Sequence, residues 1–415
     1  GEFTAPPHKI TSRRARTSLV APPRKYSTPT ARFSSNSTRE HKALVRSSIL
    51  PRFNAGCRNP RAALMRRRWW MFRPFDLMAR HWPVFKKRRG ILVVRMDGIG
   101  DMVLFRNSLD YYAEAFGVDK SDITVLGCDS WRSIAPEVFA GYRVITINEH
   151  RFAKRVFYRF RISLMVRGLN PAIAVCDQYL RRAMMADSLV WVSGAPRAVS
   201  SLPFINEKTR SEYLYYMSQN TDVIATGDYP DHEIARHARF VSQLTGREIA
   251  PAPPSINWRD DTPPVDLLDP GAPYAVLNPG SNEYGRRWPM AKYLELAKRL
   301  RDKGLGVVLV GGKGEVAATG DNDIIDLSGK TTLAQLLDIL NHAALVVSND
   351  TGPAHLSIAL GTPSVVIVGG GHFGSFVPYP DQACPDTARF VYEKMDCYHC
   401  FWNCPKRATN TDSFP

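Results

Sequence analysis

Residues Ile91 to Leu104 read ILVVRMDGIGDMVL. The opening apolar run suits a strand buried on both faces, as in a parallel sheet. Gly98 and Gly100 then allow a sharp turn, and a second apolar run starts a helix with Asp101 at its beginning. A carboxylate held there can accept a proton from a substrate hydroxyl, although an aspartate at a helix start also serves as an ordinary cap.

Outward from this unit the same rhythm continues. Apolar strands are predicted at 123–127, 144–148 and 172–177, with helices over Asn107 to Phe116 and Trp131 to Phe139. The Pro-rich stretch 251–273 interrupts the alternation and reads as a linker. A second series follows, with strands at 274–280, 306–312, 344–350 and 364–370 and helices at 290–303, 332–342 and 353–360. Strands alternating with helices imply parallel sheets, so the fold class is α/β, with two Rossmann-like domains facing across a cleft. The expected organisation is an arm over 1–89, a first domain over 90–250, the linker, a second domain over 274–382 and a Cys-rich tail over 383–415.

Three loops of the second series are suited to an anion. In NPGSNEYGRRWP (278–289), Ser281 offers donors and Arg286 a charge. In LVGGKGE (309–315), Gly312 opens a turn and Glu315 can take a ribose hydroxyl pair. In SNDTGPAHL (348–356), Pro353 starts a helix just after Asp350, Thr351 and Gly352, which leaves free N–H groups for a diphosphate; His355 lies one turn further on.

These motifs, with RMDGIGD at 95–101 and SNDTGPAHLSIALGTPSVVIVGG at 348–370, resemble glycosyltransferase family 9, the ADP-heptose:lipopolysaccharide heptosyltransferases, over roughly residues 90–405. The resemblance implies a GT-B fold and an inverting, metal-independent transfer of a sugar, heptose first, from a nucleotide diphosphate donor, an ADP-sugar. The acceptor it implies is a lipopolysaccharide or other surface glycan. Carried over by position, Asp101 is the general base. Ser281, Arg286, Gly312, Glu315, Asp350, Thr351, Gly352 and His355 hold the donor. The family commonly has lysine two residues before its Trp-Pro pair, where this chain has Arg286. The stretch GGGHFGSFVPYP (369–380) also departs from the usual family form.

In the first series, RFAKRVFYRFR (151–161) sets basic groups among aromatics. Arg151, Lys154 and Arg155 are therefore expected to meet an anionic glycan or lipid-linked acceptor, against the alternative of a solvated basic helix. Cys384, Cys397, Cys400 and Cys404 have a spacing that suits a structural zinc or iron, with His399 as a substitute ligand. Similar clusters occur in the branch of the family that glycosylates autotransporter proteins, so a protein O-glycosyltransferase is the alternative function. No cofactor is expected for catalysis.

Charge is unevenly placed. The chain carries a net +16, yet residues 1–90 hold 22 Lys and Arg against only Glu2, Glu40 and Asp76, while the rest is slightly acidic. The basic excess therefore belongs to the arm. Its first fifty or so residues suit a disordered arm, a transit-type segment or vector-derived sequence, and Gly1-Glu2-Phe3 reads as a cloning remnant. Arg66 to Phe75, RRRWWMFRPF, together with Trp82 and Lys86 to Arg89, fits the headgroup layer of an anionic membrane, or else a basic helix whose aromatics pack on the domain below. No run of eighteen apolar residues exists to span a bilayer. The expectation is a cytoplasmic protein, peripheral at the inner membrane face, with no nucleic-acid partner. A dinucleotide-dependent oxidoreductase is disfavoured because no G-x-G-x-x-G follows the first strand.

Overall fold

The structure, a computed structural model, describes residues 65–260, 271–315 and 321–402. All belong to the second of the two compact units into which the chain divides, Arg52–Pro415. The expected disordered start lies outside the described residues.

Two six-stranded parallel sheets build two lobes. In the first, β1 (Ile91–Val94), β2 (Ile123–Cys128), β3 (Arg143–Ile147), β4 (Ile173–Cys176), β5 (Arg197–Ser201) and β6 (Asp222–Ile224) lie in the order β3-β2-β1-β4-β5-β6. In the second, β7 (Tyr274–Asn278), β8 (Gly306–Leu309), β9 (Ile324–Asp326), β10 (Leu345–Asn349), β11 (Ser364–Ile367) and β12 (Ala388–Val391) lie in the order β12-β11-β10-β7-β8-β9. The two orders are the same doubly wound path, counted from β1 and from β7. Each lobe therefore has a switch point, between β1 and β4 and between β7 and β10, and a crevice opens at the carboxyl ends of those strands. The α/β architecture of two Rossmann-like lobes is the one the sequence predicts.

The local differences have physical causes. The helix after β1 runs Ile99–Phe116, with Asp101 in its first turn as the glycine-acid motif suggests, and it joins that turn to the helix expected over Asn107 to Phe116 without a break. The expected helix over Trp131 to Phe139 reduces to a 3-10 turn and the short helix Ala135–Val138. Strands β5, β6, β9 and β12 carry no clear apolar run: β6 and β9 have three residues each, and β5 reads RAVSS. Strand β12 lies within the segment read as the tail and pairs with β11, Ser364 against Ala388. The described part of the linker is docked on the second lobe. The Ile256 amide donates to the Ala359 carbonyl (3.1 Å), and the Trp258 indole donates to Asp338 (2.7 Å).

An apolar seam joins the lobes: Leu104 and Ile234 of the first lobe share a buried cluster with Ala354, Ile358, Val366 and Val368 of the second. It seats the helix Ile99–Phe116 against the helix Gly352–Leu360, so the two crevices form one cleft.

Ahead of β1, the helix Arg67–Arg80 lies on the outside of the first lobe and buries Trp69, Phe72, Asp76 and Ala79. Asp76 accepts two hydrogen bonds from the Arg159 guanidinium, from Nε at 2.9 Å and from Nη2 at 2.6 Å, with both side chains 1% exposed. Arg159 also donates to the Met184 carbonyl and the Ser188 hydroxyl. Among the five basic groups expected on one solvated or acceptor-binding segment, Arg159 is thus an internal anchor. Removing its partner leaves an unpaired buried cation, so Asp76→Ala is expected to lower unfolding free energy by about 3–5 kcal/mol in a denaturant titration.

Candidate active site

The cleft between the lobes has a volume of about 660 Å³. Asp101, Ser281, Arg286, Gly312, Glu315, Thr351, Gly352 and His355 all line it, and Asp350 lies buried directly behind Arg286. Residues from loops more than 150 positions apart in sequence are brought together because both sheets direct their carboxyl ends to the same crevice.

Asp101 is the third residue of its helix and lines the cleft, with its carboxylate beside Gly98, the cap residue. Burial raises its pKa above the ordinary carboxylate value, opposed by the positive charges of Arg95, Arg286 and His237. Across the cleft, burial likewise raises Asp350, with Arg286 opposing and the Asp101 charge adding to the rise.

Beneath Asp101 lies a buried ionic network that the sequence reading did not identify. Arg95 donates to Asp177 at 2.6 Å, pairs with Asp97 and stacks over Phe105 with its guanidinium 4.2 Å from the ring centre. The second Asp177 oxygen meets His237 Nδ1 at 2.8 Å. Burial would raise Asp177, but Arg95 and His237 more than offset it and hold this carboxyl well below its usual range. Asp97 is pushed by burial up to about 7, against the pull of Arg95.

On the second lobe, β7 and β10 bring the loops expected to hold an anion side by side. The Asn278 amide donates to Ser348 Oγ at 2.8 Å and to Thr351 Oγ1 at 2.9 Å. Asn349 accepts from the Trp288 amide and from Tyr293 and donates to the Pro279 carbonyl (2.7 Å), tying the 278–289 loop to the strand beside it. Arg286 donates to the Asp350 carbonyl at 3.0 Å, and its guanidinium lies 4.9 Å over the Trp402 ring. Glu315 accepts the Gly312 amide at 2.9 Å and lies across Gly312, where a Cβ would fall 2.6 Å from its carboxyl carbon. One of its oxygens is therefore already engaged within its own loop.

His355 is 4% exposed, bonded through Nδ1 to the Tyr379 hydroxyl at 2.7 Å. Burial, with His232 and Arg286, lowers its pKa to about 3, so it is neutral near pH 7. Its ring packs on Gly100, and Gly352 lies against Ile99. The two helix N-termini meet here, placing the Gly352 N–H and the partial positive charge of the second helix opposite Asp101; Pro353 has no N–H, and the Ala354 and His355 amides donate to the Thr351 carbonyl.

The lining also includes Ser130 and Glu149, just beyond β2 and β3, with Asn278, Thr331, Thr332 and Phe376. Neither Ser130 nor Glu149 is an unusual residue type in sequence; a position just past a strand's carboxyl end in a doubly wound sheet is the signal that marks both. Arg151, Lys154 and Arg155 are not among the lining residues. They are exposed, and the Arg151 guanidinium lies 4.8 Å over the Tyr158 ring. Cys397 and Cys400 sit in the turn that ends in Phe401 and Trp402, with Phe401 stacked on Tyr229 at 4.3 Å. Among the described residues no three His, Cys, Asp or Glu side chains gather into a metal cage. Cys404, the fourth thiol of the expected zinc or iron set, lies outside the described residues.

A Cβ on Gly100 would fall 2.8 Å from His355 Cδ2, and the ring cannot swing away from Tyr379 without breaking a buried hydrogen bond. Gly100→Ala is accordingly expected to cost about 1–3 kcal/mol through overpacking, read by thermal melting, and to lower catalytic turnover with it.

A model of the family described as Glycosyltransferase family 9 (heptosyltransferase) matches residues 207–401. Lipopolysaccharide heptosyltransferase 3 of Escherichia coli is 27% identical over 125 residues, a stretch that covers 28% of this chain and 37% of that protein. Lipooligosaccharide heptosyltransferase 2 of Haemophilus ducreyi is 23% identical over 312 residues, 67% of this chain and 82% of that protein. Among solved structures, the E. coli ADP-heptose lps heptosyltransferase II superposes with a TM-score of 0.56 at 18% identity, covering 75% of this chain and 96% of its own. That likeness shows the fold.

Proposed function

From the premise that this chain belongs to glycosyltransferase family 9, we propose that it transfers a heptose from an ADP-linked donor to a hydroxyl of a lipopolysaccharide-type glycan at the cytoplasmic face of the membrane. The observation that carries the reading is the meeting of Asp101 with the N-terminus of the helix Gly352–Leu360 in one cleft. Names of similar proteins supply the sugar and acceptor classes.

In the proposed step the acceptor oxygen attacks the anomeric carbon and its proton passes to the Asp101 carboxylate. The new C–O bond forms as the bond from the anomeric carbon to the donor phosphate breaks, and the electron pair leaves with the nucleoside diphosphate. Inversion follows from attack on the face opposite the leaving group. The departing negative charge is met by Arg286, by the Ser281 loop and by the Gly352 N–H at the start of its helix. His355, neutral and fixed by Tyr379, can hydrogen-bond to donor oxygens without adding charge. Burial that makes Asp101 a stronger base than a free aspartate suits this role.

Asp101→Asn is expected to lower kcat by about 10²–10⁴-fold while nucleoside diphosphate affinity stays near wild type, measured by product formation and by calorimetric titration. Activity close to wild type in that variant overturns the base assignment. Because the raised pKa belongs to a base that must be ionised, the rate is expected to fall with decreasing pH and to do so above about 4, the free aspartate value. Arg286→Ala is expected to weaken donor binding by about 1.5–3 kcal/mol, the range for hydrogen bonds to a charged group.

A further inference from the structure

We infer that the outward face of the helix Arg67–Arg80, with the segment 81–89 that follows it, is a docking surface for an anionic lipid bilayer. The inference stands apart from the proposed transfer chemistry. It rests on how the helix divides its residues. Trp69, Phe72, Asp76 and Ala79 face inward, while Trp70, Met71, Pro74, Leu77 and Met78, at the spacing i, i+1, i+4, i+7, i+8, form one exposed face. An exposed helix ordinarily turns polar residues outward. Here the outward stripe is apolar, with Trp70 62%, Met71 45% and Met78 53% exposed, and beyond it Trp82 is 50% and Phe85 96% exposed.

The basic residues divide in the same way. Arg66 is spent on Glu212 (2.6 Å), Arg73 lies over the Trp191 ring at 4.1 Å, and Arg80 donates to the Trp191 carbonyl. Arg67 and Arg68 at one end of the apolar stripe, and Lys86 and Lys87 at the other, stay exposed. The one acid between residues 65 and 89 is Asp76, buried against Arg159, so the segment itself exposes cations and no carboxylate; Asp122 of the lobe behind it is taken up by Arg89 at 2.8 Å. An apolar face of Trp, Met and Phe bounded by cations complements the acyl boundary and phosphate layer of an anionic leaflet; a second copy of the same face would repel it by like charge. The buried Asp76–Arg159 pair and the seated Trp69 and Phe72 fix the helix to the lobe, so the face is presented by a rigid body. Among the described residues no helix is long and apolar enough to cross a membrane, and docking at the surface needs none.

The test is flotation of the full chain with phosphatidylcholine vesicles, with and without phosphatidylglycerol. One variant combines Trp70→Ser, Met71→Ser, Met78→Ser, Trp82→Ser and Phe85→Ser and keeps every charge; the other combines Lys86→Ser and Lys87→Ser. Wild type is expected to float with the phosphatidylglycerol vesicles and not with pure phosphatidylcholine, and the apolar variant to lose about tenfold in partitioning with its melting temperature unchanged. The lysine variant is expected to lose part of the binding. As a readout independent of the multiple variant, lipids with brominated chains are expected to quench wild-type tryptophan fluorescence, and less so in Trp70→Phe/Trp82→Phe. The inference is overturned if the apolar variant floats like wild type, since binding then comes from charge alone. It is equally overturned if wild type binds both vesicle types alike, or if the face proves to join two copies, seen as a wild-type dimer that the apolar variant reduces to a monomer.

Discussion

The close approach of two helix N-termini is the constraint on which the cleft depends. Gly100 lies against His355 and Gly352 against Ile99, with no room for a Cβ at Gly100. That contact is possible because Leu104 and Ile234 bury themselves among Ala354, Ile358 and Val366, holding the two helices together behind it. Each N-terminus brings unpaired N–H groups and partial positive charge, and two such ends repel unless something negative sits between them. Asp101 supplies one negative charge from the first lobe and Asp350 another from the second. Burial raises the pKa of both, so the pocket already holds carboxylates that gain from a positive partner. Arg286, set between them and paired with Asp350 at 3.8 Å, is that partner.

Beneath this meeting point the first lobe spends an unusual amount of buried charge on placing one loop. Arg95, Asp97, Asp177 and His237 form a network below Asp101, and Asp97 is raised to about 7 while Asp177 is depressed. Such a network is seldom the most stable way to fill a core, and breaking one member leaves a desolvated charge behind. Its consequence here is positional. The guanidinium of Arg95, clamped between two carboxylates and stacked on Phe105, fixes the turn that carries Gly98, Gly100 and Asp101. In the second lobe the neutral amides of Asn278 and Asn349 do the equivalent task, tying the 278–289 loop to the end of β10 without net charge.

Much of this arrangement was legible in the sequence. Fully buried strands such as Ile91–Val94 and Tyr274–Asn278 are apolar throughout, and their glycine-bearing turns mark where each strand hands over to a loop of the cleft. Strands without that signature were not legible: Arg197–Ser201 is half polar, and Asp222–Ile224 is held mainly by pairing with its neighbour. In RFAKRVFYRFR, periodicity gave no means of separating Arg159, which is internal because Asp76 lies 83 positions away in sequence, from Arg151 and Arg155 on the surface. Ser130 and Glu149 were passed over because neither residue type is unusual where it stands; only the sheet order directs both into the cleft. The aromatic turn ending in Trp402 reads as a Cys-rich tail in sequence, yet it lies under Arg286 and packs on Tyr229 of the first lobe.

The proposed transfer needs a proton acceptor from the first lobe and an anion cradle from the second to face each other in one cleft. A crystal structure of the chain with an intact nucleotide-sugar bound tests it most directly. The diphosphate is expected at the Gly352 amide and Arg286, with the anomeric carbon turned toward the Asp101 carboxylate and space between them for an acceptor hydroxyl. A diphosphate bound elsewhere, or a sugar whose anomeric carbon faces away from Asp101, would contradict it.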